Sequence, residues 1–230
     1  ERLRAYGVGC DHLETVADKP TARAHIWVTA PNGHRTILYT PSELPPIAGD
    51  HKLAGLCRRA AVILLDPEVT YLAPFLADLS PPRGLLVYDA ERWRPGMEAM
   101  MATADYFVPA ADFLDTPELG LPAASWGERL TVLRKRIAGR LVVTRGEMGA
   151  YFFDGAVLKR VPAPAVEVAD TTGAGDVFHG ALALALARGI PLPAAVKLAV
   201  AAASLSCRGY GGREGLAGLK DVRALAETLS

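Results

Sequence analysis

Apolar residues in this chain recur in two rhythms. Four short, mostly apolar runs at 61–65, 84–88, 105–108 and 141–144 have the length and continuity of strands buried on both faces. Longer amphipathic stretches predict helices over 69–79, 96–103, 126–138, 174–188, 193–207 and 220–229. Strands alternating with helices imply an α/β domain, doubly wound, with helices on both faces of a mostly parallel sheet. The beginning differs: apolar runs at 24–30 and 35–40 flank Pro31, Asn32, Gly33 and His34, and Asn-Gly between such runs predicts a hairpin. A second hairpin is expected between 150–153 and 156–159, turning at Asp154 and Gly155.

Charge narrows the range of partners. Twenty-five basic and 25 acidic residues give a formal net charge of zero, so nothing draws the whole molecule to nucleic acid or anionic lipid. The longest apolar stretches, 61–65 and 181–187, fall far short of the ~20 residues that span a bilayer, so no membrane partner is expected. Cys10, Cys57 and Cys207 are odd in number and lack metal-type spacing, which fits reduced thiols and a cytoplasmic protein. The chain opens at Glu1 without a methionine, as a fragment would.

The densest chemistry lies in Asp170-Thr171-Thr172-Gly173-Ala174-Gly175-Asp176. An apolar strand is expected to stop at Asp170, and an alanine-rich helix to run from Ala174 to the Arg188-Gly189 stop. Gly173 and Gly175 let the backbone close on a ligand where the helix leaves its first N–H groups unpaired. The macrodipole adds about half a positive charge there, so the turn is a phosphate site. Asp176, one turn in, would repel a resting phosphate, but it is placed to take a proton from a hydroxyl attacking that phosphate. His179, three residues on, faces nearly the same side of the helix; a base-orienting role and a packed structural role stand level.

The string from Asp170 to Asp176, with the following Val177-Phe178-His179-Gly180-Ala181, resembles the C-terminal signature of the ribokinase-like (PfkB) carbohydrate kinases. Thr144-Arg145-Gly146-Glu147-Met148-Gly149 is similar to that family's nucleotide-phosphate loop, and Asp89 stands at the place of its Asp-x-Asn strand end. The early hairpin and the segment 39–45 follow the family order, so the likeness covers essentially the whole chain. Cys207-Arg208, Gly211-Gly212-Arg213 and the Asp-Val-Phe-His-Gly-Ala-Leu run are most like the sulfofructose kinase and ketohexokinase-like branch.

The resemblance implies a ribokinase-like three-layer α/β/α fold spanning 1–230, with lid strands within 24–40 through which family dimers pair. It implies ATP and Mg2+ as cofactors, a small-molecule sugar substrate and phosphorylation of a hydroxyl; a nucleoside or another small alcohol is the alternative acceptor, and an inactive nucleotide-binding regulator the alternative role. Asp176 takes the place of the catalytic base, and Gly173, Ala174 and Gly175 that of the anion hole. Thr144, Gly146, Gly149, Thr172, Gly211 and Gly212 take nucleotide-contacting places, the loop 208–213 lying near the adenine. Asp170 and Thr172 stand where many members hold a monovalent cation such as K+. The family's magnesium motif, Asn-x-x-Glu, is replaced by Ala110-Ala111-Asp112-Phe113, which leaves Asp112 to act on magnesium through water. Asp89 is followed by Ala90-Glu91 rather than x-Asn. Family members begin with about seventy further residues, so the chain is expected to be N-terminally incomplete.

Overall fold

The computed structural model describes residues 1–29, 34–79 and 83–230, and the expected Asn32-Gly33 turn lies outside them. The chain divides into two compact units, residues 1–27 with 36–46, and residues 28–35 with 47–230. The first contains α1 (Arg2–Ala5) and most of β1 (Arg23–Thr29) and β2 (His34–Thr40), which pair as a two-stranded sheet. Trp27, Ile37, Leu38 and Tyr39 on these strands are exposed.

The second unit follows α2 (His51–Arg59), β3 (Val62–Leu65), α3 (Ala73–Asp78), β4 (Leu85–Ala90), α4 (Met97–Thr103), β5 (Tyr106–Pro109), α5 (Trp126–Arg134) and β6 (Arg140–Thr144). Next come β7 (Ala150–Asp154), β8 (Val157–Val161), α6 (Ala174–Ala187), α7 (Leu192–Ser206), α8 (Gly211–Glu214) and α9 (Leu219–Glu227). The six strands lie in the order β3-β4-β5-β6-β7-β8; pairings through β6 are parallel and the last two antiparallel. Because neighbouring strand residues point to opposite faces, Tyr88, Phe107 and Leu141 pack with Met97, Met100, Leu130 and Leu133 on one side. Val87, Val108 and Val142 pack with Leu182, Val196, Ala199 and Val222 on the other. The result is the expected three-layer α/β/α arrangement with its core split by the sheet.

Several boundaries differ from the sequence expectation. The helix expected over 69–79 is a 3-10 segment, Pro67–Leu72, kinked at Val69, followed by the short α3. Pro67 and Pro74 lack an N–H and sit within the first two positions of their respective turns, the places where a helix needs none. The helix expected over 126–138 ends at Arg134, and its start is fixed by a capping box between Ser125 and Glu128. The strand expected to lead into Asp170 does not form: Pro162 and Pro164 remove two ladder donors, and residues 162–169 are irregular. The hairpin at Asp154 and Gly155 forms as expected, with Asp154 paired to Val157 and Gly155 at φ +61°. α2 was not anticipated, although Asp50 caps it through Leu53 N–H at 2.9 Å. Among the described residues no helix is long and apolar enough to cross a membrane.

Candidate active site

Asp170 organises the turn before α6. Its Oδ1 accepts the Thr172 N–H and its Oδ2 the Gly211 N–H, both at 2.8 Å, while its own N–H and that of Ala169 donate to the Cys207 carbonyl. One buried carboxylate therefore ties the start of α6 to the loop after α7. Gly173 is the N-cap of α6 at φ +78°, and a Cβ there would come within 3.0 Å of Gly212 Cα. Asp170 and Gly211 are 41 residues apart in the sequence, and the fold brings the Asp170–Gly173 turn against Gly211 and Gly212.

Gly175 and Asp176 are exposed in the first turn of α6, where the Ala174 N–H donates to the Thr171 carbonyl at 3.2 Å and the Gly175 and Asp176 N–H groups have no acceptor within the helix. Thr172 Oγ1 is buried with no hydrogen-bond partner among the described residues. An orphaned hydroxyl beside a helix N-terminus fits an incoming polar group, and a nucleotide phosphate suits this donor set. For a monovalent cation the same hydroxyl and the Asp170 carboxylate supply oxygens; both Asp170 oxygens already accept a backbone N–H.

The parallel strands β3 to β6 direct their C-terminal ends to a common edge, the side on which open α/β sheets bind ligands. Asp66 follows β3, Asp89 is the penultimate residue of β4, and Ala110 after β5 bridges to Thr144 of β6. His179 of α6 reaches the same edge: it is 4% exposed, with Nε2 3.1 Å from the Val108 carbonyl and Nδ1 2.7 Å from the Gly175 carbonyl. Its Nδ1 also lies 3.4 Å from Asp89 Oδ2. Sequence spacing placed His179 on the face of Asp176 but gave no sign of Val108 or Asp89 as partners.

Burial pushes the Asp89 carboxyl up to about 6 from its ordinary 3.8, with His179 opposing that rise and Asp176, Glu91 and Asp66 adding to it. A raised value means the folded state holds the proton more tightly, a stabilisation that is complete below the ordinary carboxylate range and is lost as pH rises through about 6. The parent is therefore expected to lose stability as pH rises through about 6, and Asp89→Asn to abolish that loss. Thermal melts of both proteins at about pH 4 and about pH 8 check this, and an equal pH dependence in the two contradicts it.

The Thr144 loop is a tight turn. Arg145 N–H donates to the Gly149 carbonyl at 2.8 Å, and Gly149 N–H returns to Gly146 at 3.0 Å. Gly146 is at φ +48° and open to solvent, whereas Gly149, at φ +87°, is pressed against the end of β8. Its glycine requirement is thus structural at the least. Asp112 is exposed in the 3-10 turn after β5. Among the described residues no three His, Cys, Asp or Glu side chains gather as a metal cluster.

A three-layer sheet domain with a glycine turn and helix tip beside the C-terminal strand edge places the chain among the open-sheet α/β proteins built to receive a phosphate-bearing ligand. The whole of 1–217 matches the profile described as pfkB family carbohydrate kinase. The chain belongs to that family, whose class is ATP-dependent phosphotransferases acting on carbohydrates. It is 26% identical over 230 residues to the ribokinase of Bacillus subtilis, covering 97% of this chain and 74% of that one. It is 39% identical over 100 residues to the ribokinase of Lactococcus lactis, a match covering 44% of this chain and only 33% of the relative. The structure of Arabidopsis thaliana ribokinase, complexed with ribose and ATP, superposes with a TM-score of 0.78 at 23% identity, over 96% of this chain and 74% of that one, which establishes the shared fold.

Proposed function

We propose that this chain transfers the γ-phosphoryl group of ATP to a hydroxyl of a small sugar or sugar derivative. The observation that carries the reading is the pairing of an exposed carboxylate, Asp176, with an open helix tip and the orphaned Thr172 hydroxyl in one turn. Asp176 accepts the proton of the attacking hydroxyl, the new O–P bond forms, and the bond from phosphorus to the ADP oxygen breaks with its electron pair leaving on ADP. The N–H groups around Gly173, Ala174 and Gly175 hold the charge that builds on the transferring oxygens. Magnesium, when bound with the nucleotide, neutralises phosphate charge; Asp112 is the side chain assigned to its water shell, and Asp170 with Thr172 to a monovalent cation such as K+. Thr144, Gly146 and Gly149 form a second phosphate-facing loop at the strand edge, and Gly211 and Gly212 the base-side wall. Exposed Trp27, Ile37 and Leu38 support pairing of two copies through β1 and β2.

The test is ADP release by the purified chain against a panel of pentoses, deoxypentoses, hexose derivatives and nucleosides. Turnover with one acceptor class names the substrate. ATP bound without release of ADP for any acceptor would instead favour a regulatory nucleotide-binding protein.

A further inference from the structure

His179 faces two backbone carbonyls. The oxygens of Gly175, at 2.7 Å from Nδ1, and Val108, at 3.1 Å from Nε2, can only accept. A neutral imidazole carries one N–H, so one ring nitrogen would turn its lone pair toward a carbonyl lone pair in a site that is 4% exposed. With a proton on both nitrogens, both carbonyls are satisfied, and the charge meets the Asp89 carboxylate 3.4 Å from Nδ1. The surroundings agree. Glu91 just beyond β4, Asp66 after β3 and Asp176 on α6 are the acidic groups that act on Asp89, and the imidazole is the group that opposes them there.

The anchor has a mechanical consequence. Gly175 directly precedes Asp176, and its carbonyl is gripped by the same ring that holds β5 through Val108 and β4 through Asp89. We propose that His179, as a doubly protonated imidazolium paired with Asp89, is a positioning residue that sets the first turn of α6, and Asp176 with it, over the ends of β4 and β5. The statement about the imidazolium stands on its own geometry; the statement about catalysis rests on the proposed role of Asp176.

Two measurements test it. Nitrogen-15 NMR of the parent's histidine rings at pH 7 is expected to show both His179 nitrogens protonated, and Asp89→Asn to leave one; a neutral tautomer in the parent overturns the pairing. In steady-state kinetics, His179→Asn, which retains a donor near Nδ1, and His179→Gln, which retains one near Nε2, are expected to lower kcat roughly ten- to a hundredfold with little change in KM for ATP. Asp89→Asn is expected to be slower than the parent with KM for ATP little changed, a split that a merely structural role would not produce. It should also erase a fall in kcat that the parent shows as pH drops through about 6, where Asp89 takes up its proton. Should the histidine variants fail to fold, Asp89→Asn carries the kinetic test. Parent-like kcat and pH profile in that variant overturn the positioning role. If Asp176→Asn is inactive while these variants match the parent, only this inference fails; if Asp176→Asn is fully active, the base assignment fails and the NMR result stands.

Discussion

Asp176→Asn is expected to lower kcat by about a hundredfold or more while leaving ATP affinity within a few-fold of the parent. Asparagine keeps the size and the polar contacts of the side chain but cannot accept a proton from a hydroxyl. The residue is exposed in the first turn of α6, so the fold should lose little: an acidic group near a helix N-terminus contributes about 0.3–1 kcal/mol. Nucleotide titration and turnover on the same preparation separate the two effects. Parent-like turnover would remove Asp176 from the chemistry, and a collapse of ATP binding would assign it to the nucleotide instead.

The largest effect on stability is expected at Gly149. A Cβ on that residue would stand 2.0 Å from the Val161 carbonyl oxygen, 2.6 Å from the Ala163 nitrogen and 2.8 Å from the Pro162 carbonyl carbon, all backbone atoms. Its φ of +87° adds a conformational cost for any L side chain. Gly149→Ala must therefore push β8 away from the Thr144 loop, at roughly 2–4 kcal/mol for strain and overpacking together. A chain of this size should melt about 5–15 °C lower. Gly146→Ala is the control: its Cβ meets nothing within 4 Å, so only the positive φ is penalised. Equal melting temperatures for the two variants would show that the β8 backbone yields freely.

The parts of the fold legible in the sequence are those with one unambiguous signal. The runs that became β4, β5 and β6 are continuously apolar because both faces of the sheet are covered, and each was placed to within about two residues. Residues 165–169 alternate like a strand, yet prolines at 162 and 164 keep that stretch out of the ladder. α2 carries only Ala54 and Cys57 as buried residues, so its apolar stripe was too thin to notice beside the Asp50 cap.

The candidate site divides in the same way. Asp170, Thr172, Gly173 and Asp176 share one turn, so their spacing alone suggested phosphate chemistry. The His179 ring meets a carbonyl 71 residues away, a contact no local pattern encodes. The branch most like sulfofructose kinase rests on short strings alone, while the family itself is established over nearly the whole chain.

The double grip of Asp170 has one more implication. Because a single side chain clasps both the bend before α6 and the stretch opening α8, those two walls must shift as one body. With Gly173 and Gly212 nearly in van der Waals contact, the two walls form one joined surface, and any change that loosens Asp170 would be felt on both at once.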